Sequence, residues 1–240
     1  TFTRDLRVAG DAKLGMRLEV PLYDLPSLKA AGTVDFPGNE VALDSTLPPF
    51  GGVTGRLEFT ERGIALPELR GTLLGGPIRV EGRPAGDGRM RIDATGSIDA
   101  AGMRTLVDNP LTRKLSGRTD YRASVDVDRR ASTLRIESDL VGVASDLPAP
   151  FAKLAGQSWP LRVVSRPLAP SGPSARPPGD RLEIRLRDDI ALALERERDP
   201  SSERLLVRRA GFALDAEPAL REGGLSVIVR TRAIDLDAWR

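Results

Sequence analysis

The 240-residue chain contains no histidine and no cysteine. Lacking imidazole, it excludes every Ser-His-Asp or Cys-His arrangement, and lacking thiolate as well it excludes zinc sites built from those ligands. Hydrolytic chemistry would be left with paired carboxylates, a Ser-Lys pair or a hard metal on oxygen ligands. The missing cysteines rule out a disulfide scaffold and fit an oxidising or a reducing compartment equally well. Aromatic residues are scarce, 4% against 40% apolar residues in all, so the apolar content is mainly Leu, Val, Ile and Ala. Such residues make a smooth surface that suits sugar stacking poorly. The aromatic girdles of an outer-membrane barrel are missing too. No run approaches the roughly 20 apolar residues of a membrane-spanning helix, and Thr1 opens into strand-like sequence without a signal peptide. The expectation is a soluble piece of something longer, with any targeting or anchoring segment outside it.

Charge is abundant but balanced: 36 basic residues face 34 acidic ones, a formal net charge of +2. This balance does not describe a polyanion-binding protein, and no basic block is interleaved with aromatics in the manner of single-strand binders. Nucleic acid is therefore not an expected partner. Arg129-Arg130 and Arg208-Arg209 read as solvated turn or strand-end residues.

The dominant periodicity is two. Leu14, Met16, Leu18 and Val20 alternate with Lys13, Gly15, Arg17 and Glu19, which places the apolar set on one face of a strand. The pattern recurs at Leu57 and Phe59, at Met90, Ile92 and Ala94, and at Tyr121, Ala123, Val125 and Val127. It returns at Leu134 and Ile136, and at Leu182, Ile184 and Leu186. Strands apolar on one side belong to antiparallel sheets with one wetted face. Gly86-Asp87-Gly88, Asp128-Arg129-Arg130, Asp188-Asp189 and Asp199-Pro200-Ser201-Ser202 supply turn chemistry between them. Short strands joined in this way predict a meander.

Two regions depart from the pattern. Asp99 can cap a short helix with Met103, Leu106 and Val107 on one face, Asn109-Pro110 can end it and start a turn toward Leu115, and Gly117 reads as a stop. This helical segment near 99–115 is expected to cover an open end of the sheet. Residues 167–179, rich in Pro, Ser and Gly, read as a flexible insert in one continuous architecture spanning 1–240. The carboxylate pairs Asp188-Asp189 and Asp235-x-Asp237 read as turn and strand-face residues ahead of any acid/base or metal role. Leu73-Leu74-Gly75-Gly76-Pro77 lacks the spacing and the Lys-Ser/Thr of a phosphate loop and reads as a tight turn. The apolar face must then be covered by a second sheet, closed into a barrel, or filled by a ligand with an apolar body. Composition and periodicity leave these alternatives open.

The stretch from Ser138 to Val163 adds a family-specific pattern. An alternating strand runs into Leu147-Pro148-Ala149-Pro150 and emerges into another; the prolines predict a stiff, strand-like connector. Leu140-Val141-Gly142-Val143-Ala144-Ser145, Leu147-Pro148-Ala149-Pro150-Phe151-Ala152-Lys153, Ala155-Gly156 and Pro160-Leu161-Arg162-Val163 together resemble a signature of the YhdP family of AsmA-like proteins. Flanking matches are Gly71-Thr72-Leu73-Leu74-Gly75-Gly76-Pro77, Leu115-Ser116-Gly117 with Tyr121, and Gly224-Leu225-Ser226-Val227 through Ile234-Asp235-Leu236-Asp237-Ala238-Trp239. The resemblance covers about residues 50 to 240. Phe151, where the family usually has Leu, and the insert at 167–179 depart from it.

What the resemblance implies is a long twisted antiparallel meander curled into an apolar groove. Such proteins lie in the Gram-negative periplasm, are anchored at the inner membrane outside a segment like this one, and carry phospholipid acyl chains toward the outer membrane. Candidates for the groove wall are Leu134, Ile136, Leu182, Ile184, Leu186, Leu192, Leu194, Leu205 and Val207, with Leu147, Pro148, Ala149, Pro150 and Lys153 as the structural motif. This reading needs no catalytic residue, metal or cofactor. Its alternative is a β-rich scaffold or protein-interaction module with a closed core and no lipid, and a carboxylate-based glycosidase would need two convergent acids in a cleft.

Overall fold

The computed structural model describes residues 7–19, 29–42, 48–61, 63–86, 88–128, 131–169, 179–199, 201 and 205–231. The alternating segments become strands: β1 (Arg7–Ala9), β2 (Lys13–Glu19), β3 (Lys29–Ala42), β4 (Phe50–Thr60) and β5 (Gly63–Leu73). β6 (Gly76–Pro84) and β7 (Met90–Asp99) lead into helix α1 (Ala100–Leu106). Then come β8 (Leu115–Val127), β9 (Ser132–Ser138), β10 (Val143–Ser145), β11 (Leu161–Pro167) and β12 (Gly179–Leu186). β13 (Ile190–Arg198), β14 (Leu205–Leu214) and β15 (Gly224–Val229) complete the described strands.

All of them join one sheet, ordered β1-β3-β4-β5-β6-β7-β8-β9-β11-β12-β13-β14-β15, with β2 also on β3 and β10 on β8. The sheet does not close into a barrel. Pairing is antiparallel throughout, mostly between sequence neighbours, until the last step, where β15 runs parallel to β14. A parallel neighbour requires the chain to cross a face of the sheet. Residues 215–223 make that crossing on the polar face: a Cβ on Gly211 would lie 2.6 Å from the Ala219 carbonyl oxygen, and Arg185 meets Glu217 at 2.7 Å. Beneath it Ala191, Ala193 and Ala213 are buried. This explains why β13 alternates Leu with Ala rather than with charge.

Elsewhere the polar face is a run of cross-strand ion pairs. Arg56–Asp35 (2.6 Å), Arg135–Asp126 (2.6 Å) and Arg162–Glu137 (3.0 Å) are exposed and stabilise little individually. The Arg56 hydrogen bond holds the Asp35 carboxyl below the usual carboxylate range. The two ends of the strands differ. At one end short hairpins join β4 to β5, β6 to β7 and β8 to β9, and β11 leaves toward the insert, of which residues 170–178 lie outside the described set. At the other end lie α1, a 3-10 turn at Thr112–Lys114, and the long β9–β11 connection, residues 139–160. Most of the buried apolar side chains gather at this helix end, among them Leu73, Ile78, Ala100, Val143, Trp159, Ile190 and Leu214.

The helix begins as expected, with the Asp99 carboxylate accepting from the Gly102 amide at 2.8 Å. Asn109 then caps the 3-10 turn, its Oδ1 accepting from the Leu111 and Thr112 amides at 2.9 Å. Gly117 is not the helix stop: it lies within β8 at φ 92°, where the Gly142 carbonyl approaches too closely for a Cβ. Only Ala100 and Gly102 of α1 are buried, so the helix touches the sheet edge with one short side and Leu106 and Val107 stay exposed. Leu74 and Gly75, both at positive φ, form the two-residue β5–β6 turn.

Candidate functional site

Residues directly opposite one another on paired strands point to the same face. Following the register across the sheet therefore shows how far the apolar face extends. From Phe36 on β3 the partners run Gly55, Leu69, Val80, Ala94 and Ala123. The same line continues through Ile136, Val163, Ile184, Leu192, Phe212 and Val227. Across twelve strands it holds no polar side chain. At ~4.8 Å per strand it is about 50 Å long.

A second row, nearer the hairpin end, runs Leu66, Gly82, Ile92, Val125 and Leu134, meets Ser165, and resumes with Leu182, Leu194, Ala210 and Leu225. A third, at the helix end, holds Ile78, Gly96 and Tyr121, then Ser138, Leu161, Leu186, Ile190 and Leu214. The Ser138 hydroxyl is committed to the backbone, donating to the Asp120 carbonyl at 2.7 Å. The three rows make an apolar strip roughly 14 Å wide between outer Cα lines. Leu134, Ile136, Leu182, Ile184, Leu186, Leu192 and Leu194 all lie in it, each half-buried.

Leu205 and Val207 reach the same face by a different route. The register shifts between Glu195 and Arg196, so β14 carries Arg208 as an extra residue and its odd positions join the face of Ala210 and Phe212. They sit opposite Arg198 and Arg196, outside the three apolar rows. Val163, Phe212, Ala94 and Val80 are central residues absent from the groove candidates. Val163 and Phe212 fall in runs apolar on both faces, where alternation gives no contrast.

Among the described residues no second sheet covers the strip. Leu225 and Val227 at the β15 edge are 64% and 56% exposed, and at the opposite edge Leu14, Met16 and Leu18, paired with Val34, Gly32 and Ala30, are also exposed. Its relief is low because large side chains lie across glycines. A Cβ on Gly32 would sit 2.4 Å from the Phe59 ring, and one on Gly96 2.9 Å from the Tyr121 hydroxyl. That hydroxyl is buried without a hydrogen-bond partner among the described residues, and burial pushes its pKa up.

The LPAP segment is a compact excursion rather than the extended connector its prolines predict. β9 stops at Ser138, β10 turns aside to pair with the start of β8, and the Phe151 amide donates to the Pro148 carbonyl at 2.9 Å. The Ala149-Pro150 peptide is cis. Leu147, Pro148 and Pro150 are half-buried and Ala149 is exposed. Lys153 is 5% exposed, and its ammonium donates to the carbonyls of Leu140 (2.8 Å), Val143 (2.7 Å) and Leu154 (3.2 Å). Burial pushes its pKa down, with Asp139 opposing. The excursion leans on the strip: the Phe151 and Phe212 rings are 6.5 Å apart, and Arg187, paired with Asp189 at 2.7 Å, stacks 4.1 Å over Trp159.

The carboxylates weighed for chemistry have structural places. Asp189 holds Arg187 in the β12–β13 turn, and Asp235 and Asp237 lie outside the described residues. Among the described residues no group of three or more acidic side chains is placed to hold a metal, and no helix is long and apolar enough to cross a membrane. Neither characterised proteins nor solved structures give a match to this chain. The profile described as YhdP protein matches residues 1–240, including the first fifty that the sequence motifs left uncovered, and the chain belongs to the YhdP family.

Proposed function

We propose that this chain is a segment of a periplasmic bridge-like protein that carries phospholipid between the inner and outer membranes, its membrane anchor lying outside the segment. The observation that supports this most is the central row from Phe36 to Val227, apolar at every strand, with no second sheet over it among the described residues and the excursion touching it at Phe212. Acyl chains laid on the strip gain roughly 0.8 kcal/mol per buried methylene. Because the rows repeat with similar composition, affinity changes little along them and a chain can slide. The step is passive and breaks no covalent bond, so this reading assigns the segment no enzymatic role.

Ile184→Asp tests it. Ile184 lies mid-row between Val163 and Leu192 and is half-buried, so the carboxylate can reach water without collapsing a core. Losing contact with three or four methylenes costs about 3 kcal/mol, on the order of a hundredfold in affinity. Mass spectrometry of the purified variant should show co-purifying phospholipid strongly depleted with the β circular-dichroism signal intact. Unchanged lipid content in a folded variant overturns the groove and leaves the scaffold reading.

A further inference from the structure

The two long borders of the strip differ chemically. The helix-end border is closed by buried apolar residues, Leu73, Ile190 and Leu214, and by the excursion carrying Phe151. Along the hairpin-end border the next positions are apolar on β6, β7 and β8, namely Pro84, Met90 and Val127. On β12 and β13 they change to Asp180 and Arg196, which face each other directly.

These two form a cluster with Ser165. Arg196 donates from Nε to Asp180 Oδ1 at 2.8 Å and from Nη2 to Oδ2, while the Ser165 hydroxyl donates to the same Oδ2. The pair is semi-enclosed, with side chains 25% and 14% exposed. Asp180 grips the guanidinium by one edge and fixes its orientation. Nη1 has no partner among the described residues. Arg198 follows on the same face.

Resting on the lipid-carrying reading, we infer that Arg196, oriented by Asp180 and Ser165, contacts the phosphodiester of a glycerophospholipid whose chains lie on the strip. An amphiphile there must direct its polar head off one border. The helix-end border is apolar and covered, whereas this one presents a pre-set Arg fork, the group best matched to phosphate oxygens. A phospholipid therefore lies in one orientation over β11–β13, head toward the hairpin end and tails toward Leu182, Ile184 and Leu186.

The test uses the 240-residue chain and two fluorescent probes with identical chains, phosphatidylglycerol and diacylglycerol, offered from phosphatidylcholine vesicles. The variant is Asp180→Leu with Arg196→Leu, which removes both charges together and leaves neither unpaired; thermal unfolding confirms that it folds. Loss of one charge-assisted contact should weaken phosphatidylglycerol binding roughly tenfold and leave diacylglycerol unchanged. Equal binding of phosphatidylglycerol by the folded variant and the wild type overturns the headgroup contact alone. If the wild type binds neither probe, the groove reading falls and this inference with it.

Discussion

Replacing Lys153 by Met removes the ammonium at the centre of the LPAP excursion while keeping the length and apolar stem of the side chain. The three carbonyls it serves, on Leu140, Val143 and Leu154, come from both limbs of the excursion, and at 5% residual exposure water cannot replace it. Hydrogen bonds to a charged group contribute ~1.5–3 kcal/mol each. Against this, the variant no longer buries a charge, a relief of several kcal/mol. The net local loss is about 2–4 kcal/mol. Hydrogen exchange monitored by mass spectrometry reads it directly. The amides of Gly142, Ser145 and Trp159, which donate to Ala155, Lys153 and Asp139, should exchange about thirtyfold faster or more, a factor set by the lower end of that range. Amides of β12 and β13 should be unaffected, because their partners lie within the sheet. An exchange pattern identical to wild type, in a variant of unchanged unfolding midpoint, would refute the claim that the ammonium holds the excursion together.

The same lysine predicts a pH dependence. Its folded pKa is lowered by burial, so between that value and the ordinary lysine value the unfolded chain binds the extra proton and stability rises with pH. Denaturant unfolding across the alkaline range should show this rise in wild type and lose it in Lys153→Met; a flat difference between the two contradicts the assignment. Tyr121→Phe should be neutral or stabilise by up to about 1 kcal/mol, because it deletes a buried hydroxyl that has no partner among the described residues. A clear fall in the melting temperature of that variant would mean the hydroxyl is satisfied in solution.

Much of the sheet was legible because strand alternation is a local property. Met90, Ile92 and Ala94 against Arg91 and Asp93 declare one strand and its wet face whatever surrounds them. The reading was weaker where tertiary cover changes the rule. β13 reads Ile-Ala-Leu-Ala-Leu because the 215–223 crossing buries its outer face, and no local pattern announces that a distant segment will do so. The prolines of LPAP also misled, since their φ restraint favours extended geometry but permits the turn that Pro148 and Phe151 close.

Leu205 and Val207 show how register escapes a sequence reading. Without the extra residue Arg208 they would face away from Phe212, and the bulge that brings them round exists only as a relation between β13 and β14. The chain's own alternation and composition determined an all-β architecture with one apolar face and no histidine or cysteine chemistry. Alternation follows from φ and ψ at each residue, and composition needs no fold at all. Only the tertiary structure decided that the apolar positions align into three rows across the sheet, that one border is sealed by the excursion, and that Asp180, Arg196 and Ser165 meet at the other. Those outcomes depend on pairing between residues far apart in sequence, which is settled when whole strands find their register.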